Sequence, residues 1–187
     1  MIRLTCLALL GVAALVAACG DDPVSYSSPV AINLKAESGA VNGTALSNEK
    51  SIKDEAGNPY GAFITDARAK IGHDPTLVEI DKLTLTLGAQ STGVTRLDEI
   101  FAGTVDVLFI VNTTNNTYPV GQVTNPAGTG PVGVDVSFEA SGIAPQDWPN
   151  YLSGDFKVVI RGAAATGFAS KGAKADLQLA FTFAAFE

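Results

Sequence analysis

The sequence predicts a mainly β protein: an antiparallel β-sandwich of about seven or eight strands with one or two short helices. Three observations lead there. Apolar residues alternate with polar ones at a period of two in segment after segment, as in Leu177, Leu179, Phe181 and Phe183. Breaks rich in Gly, Pro and Asn separate these segments. One segment alone has a clear helical period, and the chain lacks the strand–helix–strand rhythm that builds parallel sheets. A closed barrel is the rival arrangement. An integral membrane barrel would need strands of about 10 residues and two aromatic girdles, whereas the chain holds one Trp and four Tyr.

The elements follow in order. Val30, Ile32 and Leu34 alternate with Ala31, Asn33 and Lys35, which predicts a half-buried first strand. Residues 38–58 are rich in Gly, Ser, Asn and charge and read as a long loop with a short strand near Ile52. Asn58-Pro59 offers a cap with proline in the first turn. Phe63, Ile64, Ala67 and Ile71 then share one face, and Gly72 and Pro75 stop the helix. Val78 and Ile80 alternate in one phase, and Leu83, Leu85 and Leu87 in the other. The phase change at Asp81-Lys82 predicts a β-bulge.

Residues 95–101 suggest a helical turn or two. Val105, Val107, Phe109 and Val111 line one side of the next strand while Leu108 and Ile110 occupy the other, as in a central strand covered on both faces. Asn112 to Asn116 is a polar turn, Tyr118 to Val123 a short edge strand, and Asn125 to Pro131 a loop. Val132, Val134, Val136 and Phe138 alternate as one strand. Ala144 to Leu152, with two prolines and Trp148, is an excursion away from strand structure. Phe156, Val158 and Ile160 form the next strand. Residues 162–172 are small and flexible, and the strand through Phe183 follows.

The N-terminal segment has a different character. Met1-Ile2-Arg3 is a short positive start, and Leu4 to Leu15 is an almost unbroken apolar run. That run is short of the roughly 20 residues of a membrane-spanning helix and suits a signal core. Val16-Ala17-Ala18-Cys19 follows at once. This segment resembles the lipobox of bacterial lipoproteins: an aliphatic residue, two small residues, then the cysteine that receives the lipid. The resemblance covers about 20 residues and extends no further into the chain. It implies that residues 1–18 are a signal peptide and that Cys19 is the acylated N-terminus. Residues 19–29, with Pro23, Pro29 and several serines, then form a lipidated flexible tether, and residues 30–187 the sandwich domain. Several acyl chains, at about 0.8 kcal/mol per buried methylene, hold a domain firmly on a bilayer. Gly20 stands where an inner-membrane retention aspartate would be, so the resemblance implies the outer membrane of a bacterial envelope.

Charge and composition narrow the chemistry. The full chain carries a net charge of −7, and removing Arg3 with the signal leaves −8. An acidic surface without a basic cluster repels phosphate backbones, so no nucleic-acid partner is expected. Losing Cys6 with the signal leaves Cys19 without a disulfide partner. His73 is the single histidine and falls at the helix stop, where a cation suits the helix dipole. His and Cys clusters for zinc or copper are missing, no spaced calcium loop occurs, and nucleotide-binding glycine motifs are absent. No metal and no cofactor is therefore expected.

The segment Pro145-Gln146-Asp147-Trp148-Pro149-Asn150-Tyr151 remains as a candidate. Trp and Tyr beside Asp, Asn and Gln on a loop are the materials of a sugar platform or a protein hot spot. Trp148 and Tyr151 are accordingly the candidate ligand-binding residues. A tryptophan plugging one end of the sandwich is the alternative. The expected function is a membrane-anchored envelope lipoprotein that acts as a non-enzymatic binding module, for an envelope protein or a polysaccharide. A structural envelope or coat component, or a hydrolase using carboxylates alone, are the alternatives.

Overall fold

A computed structural model describes residues 24–187, and residues 1–23, on which the expected signal peptide and Cys19 fall, lie outside the described part. The described residues form nine strands in two antiparallel sheets, the predicted sandwich. One sheet has the order β1 (Ser25–Glu37), β9 (Lys174–Phe186), β3 (Leu77–Leu87) and β6 (Val132–Gly133). The other has the order β2 (Ala45–Ser51), β8 (Phe156–Ala164), β4 (Phe101–Val111), β5 (Thr117–Thr124) and β7 (Asp135–Val136).

Period-two alternation does what it should. Val30, Ile32 and Leu34 on β1, Leu83, Leu85 and Leu87 on β3, and Leu177, Leu179, Phe181 and Phe183 on β9 all turn inward and are buried. The ladder of β3 against β9 slips at Ile80/Lys82, which places the bulge at the phase change. β4 lies in the middle of its sheet, and Leu108 on its outer side is 8% exposed beside Val159.

The helix α1 (Pro59–Ile71) starts and stops on the residues that predict it. The Asn58 side chain accepts from the Gly61 N–H, and Gly72 adopts φ 92° to close the last turn. Its face of Tyr60, Phe63, Ile64 and Ala67 is buried against the sandwich. A second, six-residue helix α2 (Trp148–Ser153) lies at the same end, and residues 97–99 make a single 3-10 turn.

Aromatic rings fill the core at that end. Tyr60 stands edge-on to Phe156 and Phe183 at centroid distances of 5.3 and 5.1 Å, and Phe109 lies 4.7 Å from Phe156. Tyr151 extends the cluster from α2, 5.1 Å from Phe156. Such pairs contribute roughly 0.5–1.5 kcal/mol each beyond their burial. The Tyr60 hydroxyl donates to the Tyr151 carbonyl at 3.0 Å, so the two helices are joined through the core.

Three sequence readings need correction. Residues 25–29, expected as the end of the tether, are the first five of β1, and Ser25 pairs with Phe186. Residues 45–51, expected within a loop, are edge strand β2; its inward positions are Leu46, Asn48 and Lys50, so the apolar signal is a single residue. The run 132–138 is two short strands rather than one. β6 pairs with β3, and β7 pairs with β5, so the chain crosses from one sheet to the other around Val134 and closes that side.

The opposite side is closed by side chains. β1 is an edge strand, and its outward Asn33 N–H donates to Glu55 Oε2 at 2.7 Å while the Lys35 N–H donates to Asn48 Oδ1 at 3.3 Å. Glu55 also takes the Asn33 amide at 3.1 Å and Lys50 at 2.9 Å. Burial works to raise the Glu55 pKa, but the Asn33 and Lys50 donors outweigh it and hold the carboxylate below its ordinary range. Occupied edge donors cannot template another strand.

Two outcomes are expected. Tyr60→Phe removes one of the two donors to the Tyr151 carbonyl, which keeps the Gly154 N–H at 3.1 Å, and costs about 0.5–1.5 kcal/mol in urea unfolding, with no change of fold by circular dichroism. Glu55→Ala uncovers the β1 edge, and light scattering should show association that rises with protein concentration, absent in the wild type.

Candidate functional site

The candidate segment sits where the two helices meet the strand ends. Its two aromatic residues separate sharply. Tyr151 is 2% exposed, with its ring among Phe109, Phe138, Phe156 and Tyr60. It is a core residue, and the expectation that it contacts a ligand is corrected. The reason is the helical turn: α2 points Tyr151 inward and leaves Trp148, three residues earlier, at the rim. Tyr151 plugs the sandwich end, and Trp148 packs over it at a ring-centroid distance of 5.7 Å, partly buried against the same core. Its hydroxyl has no hydrogen-bond partner among the described residues, and burial pushes its pKa up.

Trp148 is half-buried and forms the ridge between two grooves. The larger, about 630 Å³, runs between α2 and the corner that joins α1 to β3. Pro149, Leu152 and Ser153 line it from α2, and Arg68, Asp74, Pro75 and Thr76 from the corner. The smaller, about 400 Å³, lies on the other flank, between Thr76, Leu77, Ile143 and Pro145. Arg68 and Asp74 form an ion pair at the rim of the larger groove. His73 is exposed next to them, its Nδ1 2.8 Å from the Asp74 carbonyl oxygen. The lining residues contain a single carboxylate, that of Asp74.

Sequence reasoning missed Arg68 of α1 and the corner residues Asp74 to Thr76, which stand roughly 70 to 80 positions before Trp148 and meet it only through the fold. It also misread Asp147. That residue is fully buried. Its carboxylate accepts from the Tyr118 hydroxyl at 2.6 Å, the Asn116 amide at 2.7 Å and the Thr114 hydroxyl at 2.8 Å. Tyr118 is itself fixed by the Ala144 N–H at 3.1 Å. The Tyr118 bond leads the forces that hold the Asp147 pKa below the usual carboxylate range, against the cost of burial.

The neighbouring contacts complete a seam. Asn150 Nδ2 donates to Thr113 Oγ1 at 3.0 Å, and Asn112 Nδ2 donates to Asp155 Oδ1 at 2.9 Å. Lys53 Nζ also reaches Asp155, at 2.9 Å. The Asn-Thr-Thr-Asn-Asn turn thus pins α2 and its flanks to the β4–β5 hairpin, with Asn112, Thr114 and Asn116 donating and Thr113 accepting, and Asn115 takes φ 58° to turn it. Trp148 is presented from a rigid base.

No family model matches the chain, and no curated protein matches it. Among solved structures, a chain of Desmodium yellow mottle tymovirus is 12% identical and aligns over 98% of this chain and 96% of that one, with a TM-score of 0.28. That likeness is too slight to bear on function.

The seam has a testable pH dependence. The Asp147 pKa is lower folded than unfolded, so its stabilisation is present above the unfolded carboxylate pKa, near 4, and is lost as pH falls through the folded value. Asp147→Asn should lower the melting temperature at pH 7 and flatten its decline between pH 5 and 3. Tyr118→Phe, which removes a hydrogen bond to a charged group, should cost about 1.5–3 kcal/mol in urea unfolding.

Proposed function

We propose that the chain is an envelope lipoprotein, anchored through acylated Cys19, that works by non-enzymatic binding at the Trp148 end of its sandwich. The observation that carries the reading is the presentation of Trp148. A large aromatic side chain, partly buried against the core, keeps an open edge between two grooves, on a helix fixed by the Asp147 seam and the Tyr60 hydrogen bond. Rigid aromatic residues with polar groups at their margins are the usual anchors of binding surfaces.

The carboxylate-hydrolase alternative has less support. Glycoside hydrolysis uses two carboxyl groups facing each other across a cleft, and here Asp74 is the one carboxylate on the grooves and is tied to Arg68. The anchor rests on the lipobox, Val16-Ala17-Ala18-Cys19, and puts the domain in the bacterial envelope with the outer membrane as the expected location.

Two experiments test this. Mass spectrometry of the native protein should find an N-terminal peptide that begins at Cys19 and carries acyl chains, and Cys19→Ser should move the protein from the membrane fraction to the soluble one. A native chain that starts elsewhere without acyl groups contradicts the reading. Trp148→Ala should keep a cooperative unfolding transition yet weaken capture of the binding partner by about 2 kcal/mol or more, the loss typical of an anchor residue. Collapse of folding in that variant would make Trp148 a core residue instead.

A further inference from the structure

The tether leaves the sandwich at the end that carries Trp148. β1 begins at Ser25, which pairs with Phe186, and the Val24 carbonyl accepts from the Glu187 N–H. Thr76, which lines both grooves, donates its N–H to the carbonyl of the same Phe186 at 3.1 Å. The tether exit and the grooves therefore hang on one strand end. The opposite end, with residues 88–96 and 165–173, lies a full strand length away: β9 runs 13 residues from Lys174 to Phe186, roughly 40 Å of extended chain.

Cys19 precedes Val24 by five residues. Five residues span at most about 18 Å. A bilayer holding acyl chains on Cys19 is then within that distance of Val24, less than half the length of the sandwich. The tether is too short to let the body turn over and present its other end.

The surface at this end suits such a neighbour. Val24, 37% exposed, is the most exposed large hydrophobic residue among the described residues, and it stands where the tether joins β1. Trp148, Pro149 and Leu152 add apolar surface around the larger groove. The charges beside them, Arg68 and Asp74, neutralise each other. Tryptophan favours the bilayer interface because its ring is apolar and its N–H is a donor. A surface with no excess of positive charge fits zwitterionic rather than anionic headgroups.

We propose that the Trp148 end of the sandwich rests on the headgroup layer of the membrane that holds Cys19, with Trp148 and Leu152 seated among zwitterionic lipid headgroups. This rests on the anchored reading above, and it names the lipid surface as the partner of the Trp148 grooves. The grooves open at the bilayer surface, and the remote loops project into the aqueous space.

Trp148 is the single tryptophan, so its fluorescence reports on this contact alone. The full-length protein, made in bacteria and purified with its native acyl chains, is reconstituted in phosphatidylcholine vesicles. Replacing that lipid by phosphatidylcholine brominated high on its acyl chains should lower Trp148 emission by roughly two-fold or more, as for an interfacial tryptophan. Unchanged emission from protein shown by mass spectrometry to be acylated overturns the orientation and leaves the anchor standing. Unquenched emission that shifts on addition of envelope polysaccharide assigns the grooves to sugar and overturns the lipid contact. A purified protein without acyl chains overturns the anchored reading, and this proposal with it.

Discussion

The hydrogen bond from the Tyr60 hydroxyl to the Tyr151 carbonyl joins the two parts of the molecule on which everything else depends. Tyr60 belongs to the helix that covers β1, and Tyr151 to the short helix that carries Trp148. Between them lie Phe156 and Phe183, one from each sheet, so a single cluster of rings holds both sheets and both helices. The hydroxyl is buried, so without that partner it would carry a desolvation cost. The arrangement of this end is thereby fixed from the inside.

The Asp147 seam fixes it from the outside. A buried carboxylate without a cation is tolerable only when neutral donors surround it, and Thr114, Asn116 and Tyr118 supply three. Because these donors come from the β4–β5 hairpin, α2 cannot shift without exposing a charge to an unpaired interior. A helix of six residues has little stability of its own, and the seam with the aromatic cluster supplies what it lacks. The outcome is a tryptophan held at a groove, next to the start of β1, where the proposed tether joins the sandwich.

Much of the fold was legible because strands with one buried face must alternate. β3 with its bulge, β4 with its second apolar face and α1 with its Asn and Gly caps could each be read residue by residue. What failed did so for physical reasons. β2 is stabilised by its ladder with β8 and by Glu55, so Asn48 and Lys50 sit where a core strand would be apolar. The run 132–138 alternates cleanly, yet its inward residues serve first one sheet and then the other, which a periodic pattern does not distinguish. At the site, Trp148 and Tyr151 looked alike in sequence, and only the helical turn between them decided which was core. The Asn-Thr turn did hold a signal. A run of five polar side chains on one hairpin is rich in donors, and Asp147 accepts from two of them, Thr114 and Asn116.

The central claim is that anchor and binding face share one end of a rigid sandwich. Hydrogen–deuterium exchange of the acylated protein, compared between bilayer nanodiscs and detergent, tests it most directly. The account predicts added protection in the bilayer at residues 72–77 and 146–153, with residues 88–96 and 165–172 unchanged. Protection confined to those remote loops, with the Trp148 end exchanging as in detergent, would contradict it.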